Sequence, residues 1–186
     1  MIETEIYAKT VKNYIYIKPK FPPELTLRGA FPAFYFTQTD VLIKGAEVFL
    51  RQKLYKNIYF KEKTQLLNFI DLNSDTFINQ IPPYSFNHSI LVDFSKNRIF
   101  NKSDIELSFR QVLKQYKYTV NTDYMAPPDA YVLINLLFSG SINQKIFLFG
   151  GIENIMNKRY RNYMNRLRYF ADEPGRIINI GLKIKI

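Results

Sequence analysis

Along most of the chain, apolar and polar side chains alternate one for one. The last run is the cleanest: Ile178, Ile180, Leu182, Ile184 and Ile186 fall on one face, and Asn179, Gly181, Lys183 and Lys185 on the other. Successive side chains of an extended strand point to opposite sides, so a period of two predicts one apolar and one wet face. Phe86, Ile90, Val92 and Phe94 stand in the same way against Ser85, Asn87, Ser89 and Asp93. Ile105, Leu107 and Phe109 stand against Asp104, Glu106, Ser108 and Arg110. Eight such runs can be drawn, at residues 2–17, 34–54, 58–70, 84–94, 102–118, 130–139, 145–156 and 175–186, each closed by Gly, Pro, Asn or Asp. No stretch sustains a helical period. The pattern predicts an all-β, antiparallel up-and-down meander of about eight long strands. The first run loses phase between Val11 and Tyr14, which predicts a bulge or an effect of the sheet rim.

The connections alternate strictly in length. Long segments follow the first, third, fifth and seventh runs, and short ones follow the second, fourth and sixth. A soluble sandwich has no need of this. A transmembrane β-barrel does, because one end carries short turns and the other long loops. The runs also reach the roughly 9–11 residues of a tilted spanning strand, beyond the common strand length of about 5–6. Tyr14, Tyr16, Phe34, Tyr35, Phe36, Tyr59 and Phe60 are placed to join aromatic girdles at a water boundary. The other reading of the same periodicity is a soluble β-sandwich or barrel whose apolar faces form its own core.

Composition narrows the chemistry. The chain has 186 residues, a formal charge of +10, 14 Tyr, 16 Phe, no Cys and no Trp. A disulfide framework and a thiolate metal site are excluded. His88 is the sole histidine, so no histidine cluster or catalytic triad can be assembled. It is expected to pack on the apolar face near a strand end. Glu62, Asp93 and Glu106 lie on different strands without a spacing that makes an acid–base pair. No enzyme, cofactor or metal centre is expected. The basic balance suits nucleic acid, anionic lipid or an anionic ligand. A soluble nucleic-acid module would set aromatics among Arg and Lys on one sheet face, and the polar faces here are poor in aromatics, so no nucleic-acid partner is expected.

Two stretches carry a family resemblance. GIENIMNKRYRNYMNRLRYFADEPGR, residues 151–176, resembles the penultimate strand and last extracellular loop of TonB-dependent outer-membrane receptors, in which an E-N-L-x-(N/D)-K-x-Y segment precedes a Pro-Gly-Arg approach to the final strand. GAFPAFYFTQTDVLIKGAEVFL, residues 29–50, resembles the same family's F-P-x-F-x-Y-x-Q-T-x-A-x-L-x-G-x-E segment. NYIYIKP, IPPYSFNHSILVDF and PPDAYVLINLLFSG fall in the family's order around them. The resemblance implies the C-terminal strands of a 22-stranded, plugged barrel in the outer membrane. Such receptors take up a scarce ligand such as a ferric siderophore, haem or cobalamin, driven through TonB. Residues 1–186 are then expected to be a partial barrel domain, a fragment lacking plug, TonB box and signal peptide. Its expected partners are outer-membrane lipid, the N-terminal barrel strands, the plug, TonB through that plug, and a small-molecule ligand. Ile186 stands on the apolar face where such barrels often carry a terminal aromatic.

The resemblance makes Arg159, Tyr160, Arg161, Tyr163, Arg166, Arg168 and Tyr169 the candidates to face a ligand; the plainer reading is a solvated loop. Glu47 and Glu153 match family positions and are expected to face the lumen, paired with a neighbouring Arg or Lys, with plug docking as the alternative role. A complete eight-stranded outer-membrane barrel of structural or adhesion function is the second reading. It differs in requiring the first and last strands to pair.

Overall fold

The computed structural model describes residues 1–94, 100–142 and 145–185. The facing of Ile186 lies outside them. Eleven strands form among the described residues: β1 (Ile2–Pro19), β2 (Glu24–Thr26), β3 (Gly29–Phe31), β4 (Phe34–Tyr55), β5 (Ile58–Asp71), β6 (Thr76–Phe77), β7 (Ser85–Asp93), β8 (Lys102–Val112), β9 (Tyr131–Ser141), β10 (Ile146–Glu153) and β11 (Ile177–Ile184). The eight long ones make one antiparallel sheet in the order β1-β4-β5-β7-β8-β9-β10-β11, with β6 flanking β5. The chain is therefore all-β, a meander of sequence neighbours. Among the described residues β1 and β11 do not pair, so the sheet is open with these two as its edges.

Three expected runs overrun their strands by more than one residue at an end. The fifth ends at Val112 rather than at residue 118, the seventh spans Ile146–Glu153, and the eighth begins at Ile177 rather than at residue 175. Beyond Val112 the chain leaves the sheet; Gln115 is buried and its side-chain amide donates to Ile81 O. The Pro-rich first connection also hides a small hairpin, β2 against β3. The phase loss in β1 is a bulge. Val11 faces Val41 and Tyr14 faces Thr39, which leaves Lys12 and Asn13 opposite Asp40 alone. Asn13 adopts a left-handed φ of 53°, and its N–H donates to Asp40 Oδ1 at 2.9 Å. Asparagine tolerates that conformation better than most residues.

The long connections fold over one face of the sheet, here termed inner. Ile78 and Ile81, from residues 72–84, pack on Val41 and Ile43 with Tyr7, Leu67 and Phe69. Tyr160 packs on Val112, Tyr131 and Leu133 in the same way. Below these apolar caps the inner face is mixed, with polar pairs among a few apolar side chains such as Leu91 and Phe149. Lys61 Nζ meets Glu106 Oε2 at 2.7 Å, Ser89 donates to Glu106 Oε1, and Ser139 donates to Asp104. The outer face carries the predicted apolar rows. Glycine matters at two inner positions: a Cβ on Gly45 would lie 2.3 Å from the Tyr7 ring, which folds across it from the paired strand. Gly181 holds the same relation to Phe149.

Candidate functional site

The site is built where the long connections meet. Residues 20–33, 72–84, 113–130 and 154–176 all leave the same end of the sheet. The Lys56–Asn57 turn lies at the other, where Asn57 Nδ2 donates to Asp93 O at 2.7 Å. The four long segments interlock. Asn79 Nδ2 donates to Thr122 Oγ1 at 2.6 Å, and Thr119 Oγ1 donates to Phe77 O at 2.8 Å. The Tyr124 ring stacks near Phe21 and edge-on to Phe34, and its hydroxyl donates to Ala33 O.

The family-like residues of 151–176 clamp the base of the last loop. Asn154 is buried with φ 51°; its side chain holds both Lys158 N–H and Lys158 O, and its own N–H donates to Asn135 Oδ1. Asn157 Oδ1 accepts from Arg176 N, and Arg176 Nε donates to Ile155 O. A Cβ on Gly175 would strike Asn157 Oδ1 at 2.4 Å. The two Asn, the Gly and the Arg of the motif thus close the loop's neck. A short 3₁₀ turn, Arg166–Tyr169, follows Asn165, whose side chain accepts from Leu167 N.

The seven loop candidates separate into two groups. Arg168 and Tyr163 are buried. The Arg168 guanidinium contacts Asp123 Oδ2 at 2.5 Å and lies over the Tyr163 and Tyr169 rings at 4.9 and 4.6 Å. Tyr169 donates to the other Asp123 oxygen at 2.5 Å. Burial, then that hydrogen bond, raises the Tyr169 phenol above its ordinary range; burial raises Tyr163 as well. Arg161 is half-buried, bridging Asp172 Oδ1 and Arg168 O, and half-buried Tyr160 caps Tyr131. Only Arg159 and Arg166 of the cations are exposed. Arg166 lies over Phe34 and touches Gln80 at 3.3 Å. Arg159 has no hydrogen-bond or ion-pair partner among the described residues.

Glu47 and Glu153 both lie on the inner face. Among the described residues neither pairs with an Arg or Lys: Glu47 accepts from Gln65 Nε2 and Glu153 from Asn179 Nδ2, each at 3.3 Å. Register decides this, since Gln65 faces Glu47 directly. His88 lies midway along β7 on the outer face, with its Nδ1 against Glu62 Oε2 of the facing strand, while Thr64 donates to Glu62 Oε1 at 2.7 Å. Its expected packing role gives way to a polar pair.

One part of the mouth was not legible in advance. A cavity of about 220 Å³ opens between Tyr16, Lys18, Phe21, Tyr35, Phe77 and Asn121. These residues come from three connections and two strand ends, so no linear motif could reveal them. The aromatic doublets at Tyr14–Tyr16 and Phe34–Phe36 were the available signal, and they were assigned to girdles.

Comparison with solved structures finds chains of matching geometry. The chain superposes on Copper transporter OprC with a TM-score of 0.77 over 98% of its own length, at 16% identity. It spans only 28% of that protein. The likeness shows a shared barrel-type fold. No family model matches the sequence, and no curated protein matches it.

Proposed function

We propose that residues 1–186 are the C-terminal barrel strands of an outer-membrane receptor of the TonB-dependent kind, acting in transport rather than catalysis. The observation that carries this is an open antiparallel meander, with polar pairs inside and apolar rows outside, whose four long connections interlock at one end. The family-like motif residues at the neck of the last loop support it, as does the fold shared with a transporter. In this reading the outer face meets lipid, the inner face lines a wet lumen, and the remaining barrel strands complete β1 and β11. The plug docks within and couples to TonB. The ligand is a scarce small molecule such as a ferric siderophore, haem or cobalamin, and the name of OprC adds copper to the cargoes to be tested. A complete eight-stranded barrel needs β1 to pair with β11, which no observation favours.

Arg159 and Arg166 are the exposed cations among the seven loop candidates. In the complete receptor, replacing both with Ala should weaken ligand capture while leaving its abundance in the outer membrane unchanged. Unaltered capture would return both to the role of solvated loop residues.

A further inference from the structure

We infer that the outer face of β5 and β7 is an interface between two copies of the complete receptor, with Glu62 and His88 at its centre. The inference rests on the reading of this face as lipid-facing. The two residues stand opposite each other on neighbouring strands, in a cross-strand row that runs Leu50, Glu62, His88, Phe109. Phe60, Ile90 and Leu107 form the next row towards the Lys56–Asn57 turn, with Ile58, Val92 and Ile105 beyond it. Val48, Thr64 and Phe86 form the next row towards the loops. The pair is thus an ionisable island in a mainly apolar surface, away from both ends of β5.

Ionisable groups within the hydrocarbon layer are costly and rare, and where they occur they are paired. Within one copy the pairing is incomplete. Glu62 Oε2 meets His88 Nδ1, and Glu62 Oε1 accepts from Thr64 Oγ1 at 2.7 Å. The second ring nitrogen, His88 Nε2, has no hydrogen bond or ion pair among the described residues, and the His88 side chain is 45% exposed. Lipid tails offer that nitrogen no partner.

A second copy supplies one. Two receptors inserted with the same end outward can share a twofold axis only along the membrane normal. An axis passing between Glu62 and His88 exchanges left for right, so each imidazole faces the other copy's carboxylate. The tilt of barrel strands, about 40°, offsets the two groups by only about 3 Å in depth, which a Glu and a His side chain span. The patch is therefore self-complementary, as an isologous contact requires. In the protonated imidazole, Nδ1–H serves the carboxylate of its own copy and Nε2–H that of the other. The apolar rows on either side surround the contact and exclude competing polar groups. A different membrane protein would need its own carboxylate at this depth, whereas the second copy carries one by symmetry.

The test uses the complete receptor that carries these strands, labelled and reconstituted in lipid vesicles, with copies counted by single-molecule photobleaching. The parent should dimerise. E62L/H88L, which keeps the surface apolar, should dimerise about tenfold more weakly, as expected for two lost charge-assisted contacts. Pairing between copies has its own readout. E62H alone and H88E alone present like groups to each other and should stay monomeric, whereas the two mixed should form a two-colour dimer. A monomeric parent, dimers of E62L/H88L as tight as the parent's, or a mixture no more dimeric than its components would each overturn the interface. Co-purification of the parent with a different membrane protein that E62L/H88L loses would overturn it in favour of that partner. A receptor that inserts but behaves in any of these ways sinks this inference and spares the proposed function. One that never reaches the outer membrane of the cell sinks both.

Discussion

Arg168→Met tests whether the mouth is held together from within. Arg168 is 2% exposed and its partner Asp123 4%, with a separation of 2.5 Å. The substitution would leave the Asp123 carboxylate with the Tyr169 hydroxyl and the Tyr124 N–H as its neighbours. Removing one member of a buried ion pair typically costs about 3–5 kcal/mol, because the other charge stays buried without its counter-charge. Arg168 and Asp123 sit on different connections, so the cost should fall on loop docking rather than on the strands. At about 1.4 kcal/mol per tenfold, amide hydrogen exchange across 113–130 and 154–176 should speed up by roughly two to three and a half orders of magnitude. The strand amides should not change. The measurement is hydrogen exchange by mass spectrometry on the complete barrel. Replacing both partners, as Arg168→Met with Asp123→Leu, should recover much of the protection, since apolar pairs often equal buried ion pairs. If the single variant exchanges like the parent, the ion pair does not hold the loops. If the double variant is as loose as the single one, packing volume and not charge is what Arg168 supplies.

Gly45→Val should lower stability by about 1–3 kcal/mol through overpacking against Tyr7, and Tyr7→Ala on top of it should restore part of the loss; urea unfolding in detergent reads both. His88→Leu should destabilise more than His88→Leu combined with Glu62→Leu, because only the single change strands the Glu62 carboxylate on the outer face; the order of the unfolding midpoints decides. At alkaline pH the Tyr169 phenol should titrate after exposed tyrosines, since its folded value is raised. Its contribution is complete below about pH 10, the ordinary tyrosine value, and is lost as pH rises through the raised value. Ultraviolet difference absorbance and exchange in the loop 154–176 should therefore move together, and a phenol that ionises with the exposed ones would refute the buried hydrogen bond.

The strands were legible because burial of one face imposes a period of two, and β11 and β8 keep it without interruption. The bulge was legible as a phase slip. The ends of the fifth and seventh runs were not. Residues 113–118 follow β8 without any Gly, Pro, Asn or Asp to close the run, but Gln115 is drawn to Ile81 O by a loop that lies 34 residues earlier. The last loop was recognisable from the pattern that flanks it, yet neither pattern nor composition can separate Arg159, which is exposed, from Arg168, which is buried. That difference is made by Asp123, which stands on another connection. The Gln65 partner of Glu47 follows from strand register, and a single sequence fixes register only loosely.

The two unpaired borders of the sheet have a consequence for the chain on its own. β1 and β11 run in opposite directions, as the first and eighth strands of an antiparallel meander must. The β11 border of one copy therefore suits the β1 border of another in the same antiparallel sense as the contacts inside each copy. Such a contact joins unlike surfaces, so it repeats head to tail: it closes into a ring if the sheet's curvature allows and otherwise grows as a filament. An isolated chain should accordingly be found as a ladder of multimers without a single preferred dimer, and a backbone-blocking proline in the middle of β1 should cap that growth.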